Sequence, residues 1–137
     1  MINIIVGLGN PGDKYAGTRH NVGADFTVAV AKSFNITIQP NKKYFGQLGK
    51  GKIGNHELSL LIPDTFMNES GKSVSAFLNF YRLDPSSMLV VHDDLDLPAG
   101  TARYKDGGGH GGHNGLRDII ACLGNENSFK RLRIGID

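Results

Sequence analysis

The chain has 137 residues, 39% of them apolar, which suits one domain with a real core and is too short for two comfortable ones. Its single cysteine, Cys122, excludes an intramolecular disulfide, and no apolar run approaches the length of a membrane span. The net charge of +2 is only mildly basic. The N-terminal stretch lacks a basic segment ahead of its short apolar run, so no signal peptide is expected and a cytoplasmic protein is.

In chain order, residues 2–6 form a short β-branched apolar run, expected as a strand covered on both faces. Val22, Phe26, Ala29, Val30 and Phe34 recur at helical spacing and predict a first helix. Ile36, Thr37 and Ile38 read as a strand. So do residues 45–48 and 58–62, joined by a glycine-bearing turn over residues 51–55. Val74, Phe77, Leu78 and Tyr81 mark a second helix, with Asn68 or Ser70 as its expected cap. Residues 88–91 predict another buried strand and 101–104 a shorter one. A third helix follows Asn114, and residues 131–136 close the chain as a strand. Cys122, inside the apolar run 119–123, is expected to be a buried core thiol rather than a nucleophile. Interleaved strands and helices predict an α/β fold: a single-domain sandwich over residues 1–137, with a twisted, mostly parallel mixed sheet flanked by helices.

The loops carry the unusual chemistry. Residues 107–115 hold six glycines in nine positions, together with His110, His113 and Asn114. Glycine contributes no packing and costs folding entropy, so such a run points to a backbone that bends sharply or approaches a ligand closely. Gly7, Gly9 and Gly12 match the dinucleotide fingerprint by letter. However, Pro11 sits inside the motif, no helix period opens after Gly12, and no acid follows the strand at 36–38, so the nucleotide reading is weak. The first loop, Asp93 and the glycine loop each follow a predicted strand. In open α/β sheets ligands gather beyond the carboxyl ends of strands, so one cleft is expected to collect all three.

Within that cleft His20, near a carboxylate such as Asp93, could be held in one tautomer and deprotonate water. Asn10, Asn68 and Asn114 offer uncharged donors and acceptors suited to an amide or an oxyanion. No Gly-x-Ser-x-Gly elbow is present, which makes water the better attacking group. A metal held by His110, His113, Asp93, Asp94 and Asp96 is the competing reading. It is disfavoured because the histidines sit in a glycine run rather than on one helix face. Lys42, Lys43, Lys50 and Lys52 form one basic cluster, and Lys130, Arg131 and Arg133 another. Both suit a polyanion, although solvated lysines on a hairpin are the somewhat better account of the first.

Five ordered motifs carry a resemblance: residues 7–12, residues 15–23, residues 63–71, residues 92–98 and the loop 105–116. Together they resemble bacterial-type peptidyl-tRNA hydrolase from the first strand to Ile136. The resemblance implies an esterase that hydrolyses the bond between a nascent peptide and the 3′ ribose of tRNA. It implies His20 as the base that activates water, Asp93 as its orienting partner, and Asn10 holding His20 and the substrate. Tyr15, Phe66, Met67, Asn68, His113 and Asn114 would bind the peptide or line its channel, and Lys105 and Arg133 would grip tRNA phosphate. No metal or organic cofactor is implied; the partner is peptidyl-tRNA, with no membrane, and a monomer is expected. Members of the family continue beyond the strand that ends at Ile136, whereas this sequence stops at Asp137, so a C-terminally shortened form is expected.

Overall fold

The structure is a computed structural model that describes residues 1–10 and 21–136. Its described residues contain a seven-stranded sheet and three α-helices. The strands are β1 (Ile4–Gly7), β2 (Gln39–Asn41), β3 (Gly46–Ile53), β4 (His56–Pro63), β5 (Met88–Asp94), β6 (Ala102–Asp106) and β7 (Lys130–Gly135). The helices are α1 (Val22–Ser33), α2 (Ser70–Tyr81) and α3 (Asn114–Cys122).

Strand order is β2-β3-β4-β1-β5-β7-β6. The inner four, β4, β1, β5 and β7, are mutually parallel, while the outer pairings β2–β3, β3–β4 and β6–β7 are antiparallel. Side chains alternate across a strand, so β1 serves two cores. Ile4 and Val6 join Leu61, Val90, Phe77, Leu116 and Ile119 beneath α2 and α3, while Ile5 packs on the opposite side with Ala31 of α1, Leu58 and Leu60. This two-sided burial explains why β1 and β5 read as continuous apolar runs. Phe77, 1% exposed, anchors α2 to the sheet.

Three expectations are corrected. Residues 36–38 form no strand. The Ile36 amide donates to Ala31 O at 2.8 Å, closing the end of α1, and the Ile36 side chain covers the bare backbone of Gly49 and Gly51 in β3. Pairing begins three residues later, at Gln39. Neither Asn68 nor Ser70 caps α2. A single-turn 3₁₀ helix, Met67–Glu69, leads into it, and Ser70 Oγ turns back to donate to Met67 O. The early amide of Gly71 is satisfied instead by Asp118 Oδ2 of α3, at 2.7 Å. Cys122 is exposed, because the buried stripe of α3 runs through Leu116 and Ile119 and leaves the thiol at the helix end, 3.8 Å from Asp118. The expected turn at 51–55 tightens to Gly54 and Asn55, with Ile53 paired to His56 and Gly54 at φ 62°.

Among the described residues no helix is long and apolar enough to cross a membrane.

Candidate active site

The parallel strands β1, β4, β5 and β7 point their carboxyl ends the same way, and the segments that leave them build one cleft of ≈ 570 Å³. Asn10 enters from the loop after β1, Met67 from the segment after β4, and His92 to Asp96 from the end of β5. The glycine loop leading into α3 forms one wall, and Lys105, Arg131 and Arg133 of β6 and β7 form another.

The first hydrogen-bonded link joins two loops. The Asn10 amide donates to Asn21 Oδ1 at 2.8 Å, which fixes its backbone. Its side-chain Oδ1 accepts from the Met67 amide, also at 2.8 Å. Asn10 therefore holds the Met67 segment against the β1 loop, and both residues line the cleft.

The second link centres on His113. Its Nδ1 accepts from the amides of Gly115 and Leu116 at 3.1 and 3.2 Å, capping α3. An accepting Nδ1 puts the ring proton on Nε2, which donates to Asp93 Oδ1 at 2.9 Å. Asp93 is 8% exposed. Both ring nitrogens of His113 are thus used within the protein, and the ring itself lines the cleft.

His92 backs this pair. It is 2% exposed and lies edge-on to His113, with ring centroids 5.1 Å apart. Its Nδ1 donates to Asp93 O at 2.8 Å. Burial pushes its pKa down to about 4, so the ring is neutral near pH 7.

The basic wall follows from the register of β6 and β7. Lys105 stands opposite Arg131, and Arg103 opposite Arg133, two like-charged cross-strand pairs. Such pairs disfavour the sheet by themselves and favour an anion beside it. Arg133 Nε is partly neutralised by Asp94 Oδ2 at 2.8 Å. Burial alone would raise the Asp94 pKa, but the Arg133 contact and the Asp96 amide outweigh it and hold the carboxyl below its usual range. Arg131, 4% exposed, donates from Nη1 to Gly109 O at 3.0 Å and so ties the glycine loop to the sheet.

The glycines of that loop divide by role. Gly107, Gly108, Gly111 and Gly112 have φ between 58° and 99°, the left-handed region in which a side chain is strained. Gly115 serves packing: a Cβ there would lie 2.8 Å from Met67 Sδ and 3.1 Å from His113 Cε1.

Of the residues singled out from sequence, Asn10, Met67, Asp93, Lys105, His113, Asn114 and Arg133 line the cleft. Phe66, 57% exposed, and Asn68, also exposed, flank Met67 without lining it. Tyr15 and His20 lie outside the described residues. The contributions of His92, Arg131 and Asn21 escaped the sequence reading. Arg131 alone left a trace, as a member of the basic cluster it forms with Lys130 and Arg133. Among the described residues, no three His, Cys, Asp or Glu side chains gather as a metal-holding group.

Comparison with known proteins agrees with this construction. A sequence model of the family described as peptidyl-tRNA hydrolase matches residues 4–137. The peptidyl-tRNA hydrolase of Haemophilus influenzae (strain 86-028NP) is 58% identical over 135 residues, covering 98% of this chain and 70% of its own length. That of Azotobacter vinelandii is also 58% identical, with the same coverage. The crystal structure of peptidyl-tRNA hydrolase from Acinetobacter baumannii superimposes with a TM-score of 0.95 at 50% identity, covering 98% of this chain and 68% of that one. With its cleft at the carboxyl edge of a mixed sheet and family likeness along nearly its whole length, the chain belongs to the peptidyl-tRNA hydrolases, enzymes that cleave an ester bond of peptidyl-tRNA.

Proposed function

We propose that this chain hydrolyses the ester between peptide and tRNA by direct attack of water, with His20 as general base. Water oxygen adds to the ester carbonyl carbon as its proton passes to His20. The tetrahedral intermediate then collapses, the carbon–oxygen bond to the ribose breaks, and the departing 3′ oxygen takes the proton back from His20. The products are a peptide carboxylic acid and tRNA with a free 3′ hydroxyl.

The observation that carries the reading is the make-up of the cleft. None of its described lining residues is Ser, Thr or Cys, while a carboxylate, Asp93, is held in place by a neutral His113. Asp93 orients His20 and stabilises the imidazolium that forms, a role worth several orders of magnitude in related hydrolytic constellations. Asn10 supports the base and the substrate beside the ester. Asn68 and Asn114 hydrogen-bond the peptide or the attacking water, and a bound backbone amide would favour peptidyl over simple aminoacyl esters. Tyr15, Phe66, Met67 and the ring of His113 border the peptide channel. Lys105 and Arg133 take tRNA phosphate, which answers the unfavourable like-charge pairing on β6 and β7. We further infer a cytoplasmic monomer in which residues 1–137 act as a single catalytic domain.

Cleavage of N-acetyl-aminoacyl-tRNA in the presence of a chelator, with His20→Ala as the paired variant, tests the mechanism. The expected result is metal-independent release that falls ~10²–10⁴-fold in the variant. Release that stops with chelator and returns with zinc, or that survives His20→Ala, would contradict it.

A further inference from the structure

Toward the β3 end of the sheet, away from β6 and β7, three lysines stand on aromatic rings. Lys43 Nζ lies 3.2 Å from the centroid of Phe80, Lys50 Nζ lies 3.8 Å from that of Tyr81, and Lys72 Nζ lies 4.3 Å from that of Phe45. The rings form a cluster of their own. Tyr44, buried, meets Phe77, Phe80 and Tyr81 at centroid distances of 5.2, 5.9 and 6.0 Å, and Phe80 meets Tyr81 at 5.0 Å. Phe45, Phe80 and Tyr81 nevertheless remain 40%, 53% and 37% exposed. Lys50 also donates to the Tyr81 hydroxyl, which lowers the pKa of that phenol.

Two features set this patch apart from ordinary solvated lysines. Among the described residues none of the three is paired with a carboxylate, although neighbouring Lys52 has Glu57 opposite it in the sheet. Moreover, a lysine above a ring is held in one place, so its charge is presented rather than dispersed over many rotamers. The patch is an array of fixed cations.

Its position relates it to the cleft. Lys50 pairs in register with Ser59, Ser59 with Ile4, and Ile4 with Met88, so Lys50 shares a sheet face with Met88 and Val90. Val90 is level with Arg131, and His92 with Arg133. The lysines and the β6–β7 arginines therefore stand on the same face of the sheet, at opposite edges, with α2 and α3 packed between them. From β3 to β7 is four strand spacings, roughly 19 Å.

We propose that this aromatic-seated lysine patch is a second contact for the RNA of the substrate, gripping the phosphate backbone of the tRNA body while its 3′ end lies in the cleft. Since the occupant is inferred from the family's substrate, the assignment rests on the function proposed above. Phosphate fits the patch better than bases do, because the lysines cover the ring faces on which bases would stack. Contact through phosphate alone is blind to sequence, which suits an enzyme expected to accept many tRNAs.

The test compares the unsubstituted chain with the combined Lys43→Ala, Lys50→Ala and Lys72→Ala variant, using uncharged full-length tRNA and a short oligonucleotide that carries only its 3′ end. Full-length tRNA is expected to bind the variant roughly tenfold or more weakly at low salt, with the log K versus log salt slope shallower by about 2–3. Binding of the short 3′ oligonucleotide and kcat at saturating substrate are expected to stay unchanged, and lysine-to-arginine replacements at the three positions to retain the affinity. Unaltered affinity and slope for full-length tRNA would overturn the proposal, as would an equal loss for the short oligonucleotide. Should the triple variant fail to fold, the three single alanine variants give the same comparison, each expected to lose about one-third of the slope change. Because binding of uncharged tRNA needs no turnover, a failure of the hydrolytic mechanism leaves this readout intact.

Discussion

The cleft and the lysine patch solve different problems with different side chains. In the cleft the working groups are short, at least half-buried and joined by hydrogen bonds of 2.8–3.2 Å: Asn10 to Met67, and Asp93 to His113 to the start of α3. At the β3–α2 edge they are long, exposed and positioned by rings. Proton transfer tolerates little displacement of its partners, whereas attraction between an ammonium and a phosphate survives an ångström of slack. On the proposed mechanism and the proposed RNA contact, chemistry falls to groups the fold immobilises, and grip to groups it merely leans upright.

That division can be broken experimentally. The largest effect is expected from Asp93→Asn, which removes the charge that His113 holds in place; release from N-acetyl-aminoacyl-tRNA should fall ~10²–10⁴-fold with tRNA affinity little altered. Next comes Phe77→Ala beneath the lysine patch. Truncating this buried ring should cost ~3–5 kcal/mol in urea unfolding, while the fraction that remains folded keeps its turnover.

The acid limb of stability follows. His92 has a folded pKa of about 4 against 6.5 for the free side chain. The unfolded chain therefore binds this proton first as pH falls. Stability from neutral His92 is complete above about pH 6.5 and is lost progressively down to about pH 4, on the order of 3 kcal/mol in all. Urea melts of His92→Gln should show a correspondingly flatter acid limb. A smaller effect, ~1–3 kcal/mol, is expected for Gly115→Ala, whose new methyl must displace Met67 or the His113 ring. If the cleft depends on close positioning as argued, this substitution should lower kcat more than its stability cost alone explains.

The sequence made the sheet-forming core legible because both faces of β1 and β5 are buried, and burial leaves a continuous apolar run. Ile36 and Ile38 misled for the same reason: apolar, β-branched residues can be needed to cover a neighbour rather than to pair, and Ile36 covers Gly49 and Gly51. The α2 start was hidden because its free amide finds Asp118, a partner 47 residues away in sequence. In the cleft, the loops at strand ends announced themselves through glycine, asparagine and histidine. The supports did not: His92 and Arg131 lie within strands, and their roles arise only from the register of β5, β6 and β7.

The most direct test of the division between chemistry and grip is a paired measurement of kcat and tRNA affinity on Asp93→Asn and on the triple lysine-to-alanine variant. The account predicts opposite signatures: kcat lost with affinity kept in the first, and affinity lost with kcat kept in the second. Loss of the same parameter in both variants would contradict it.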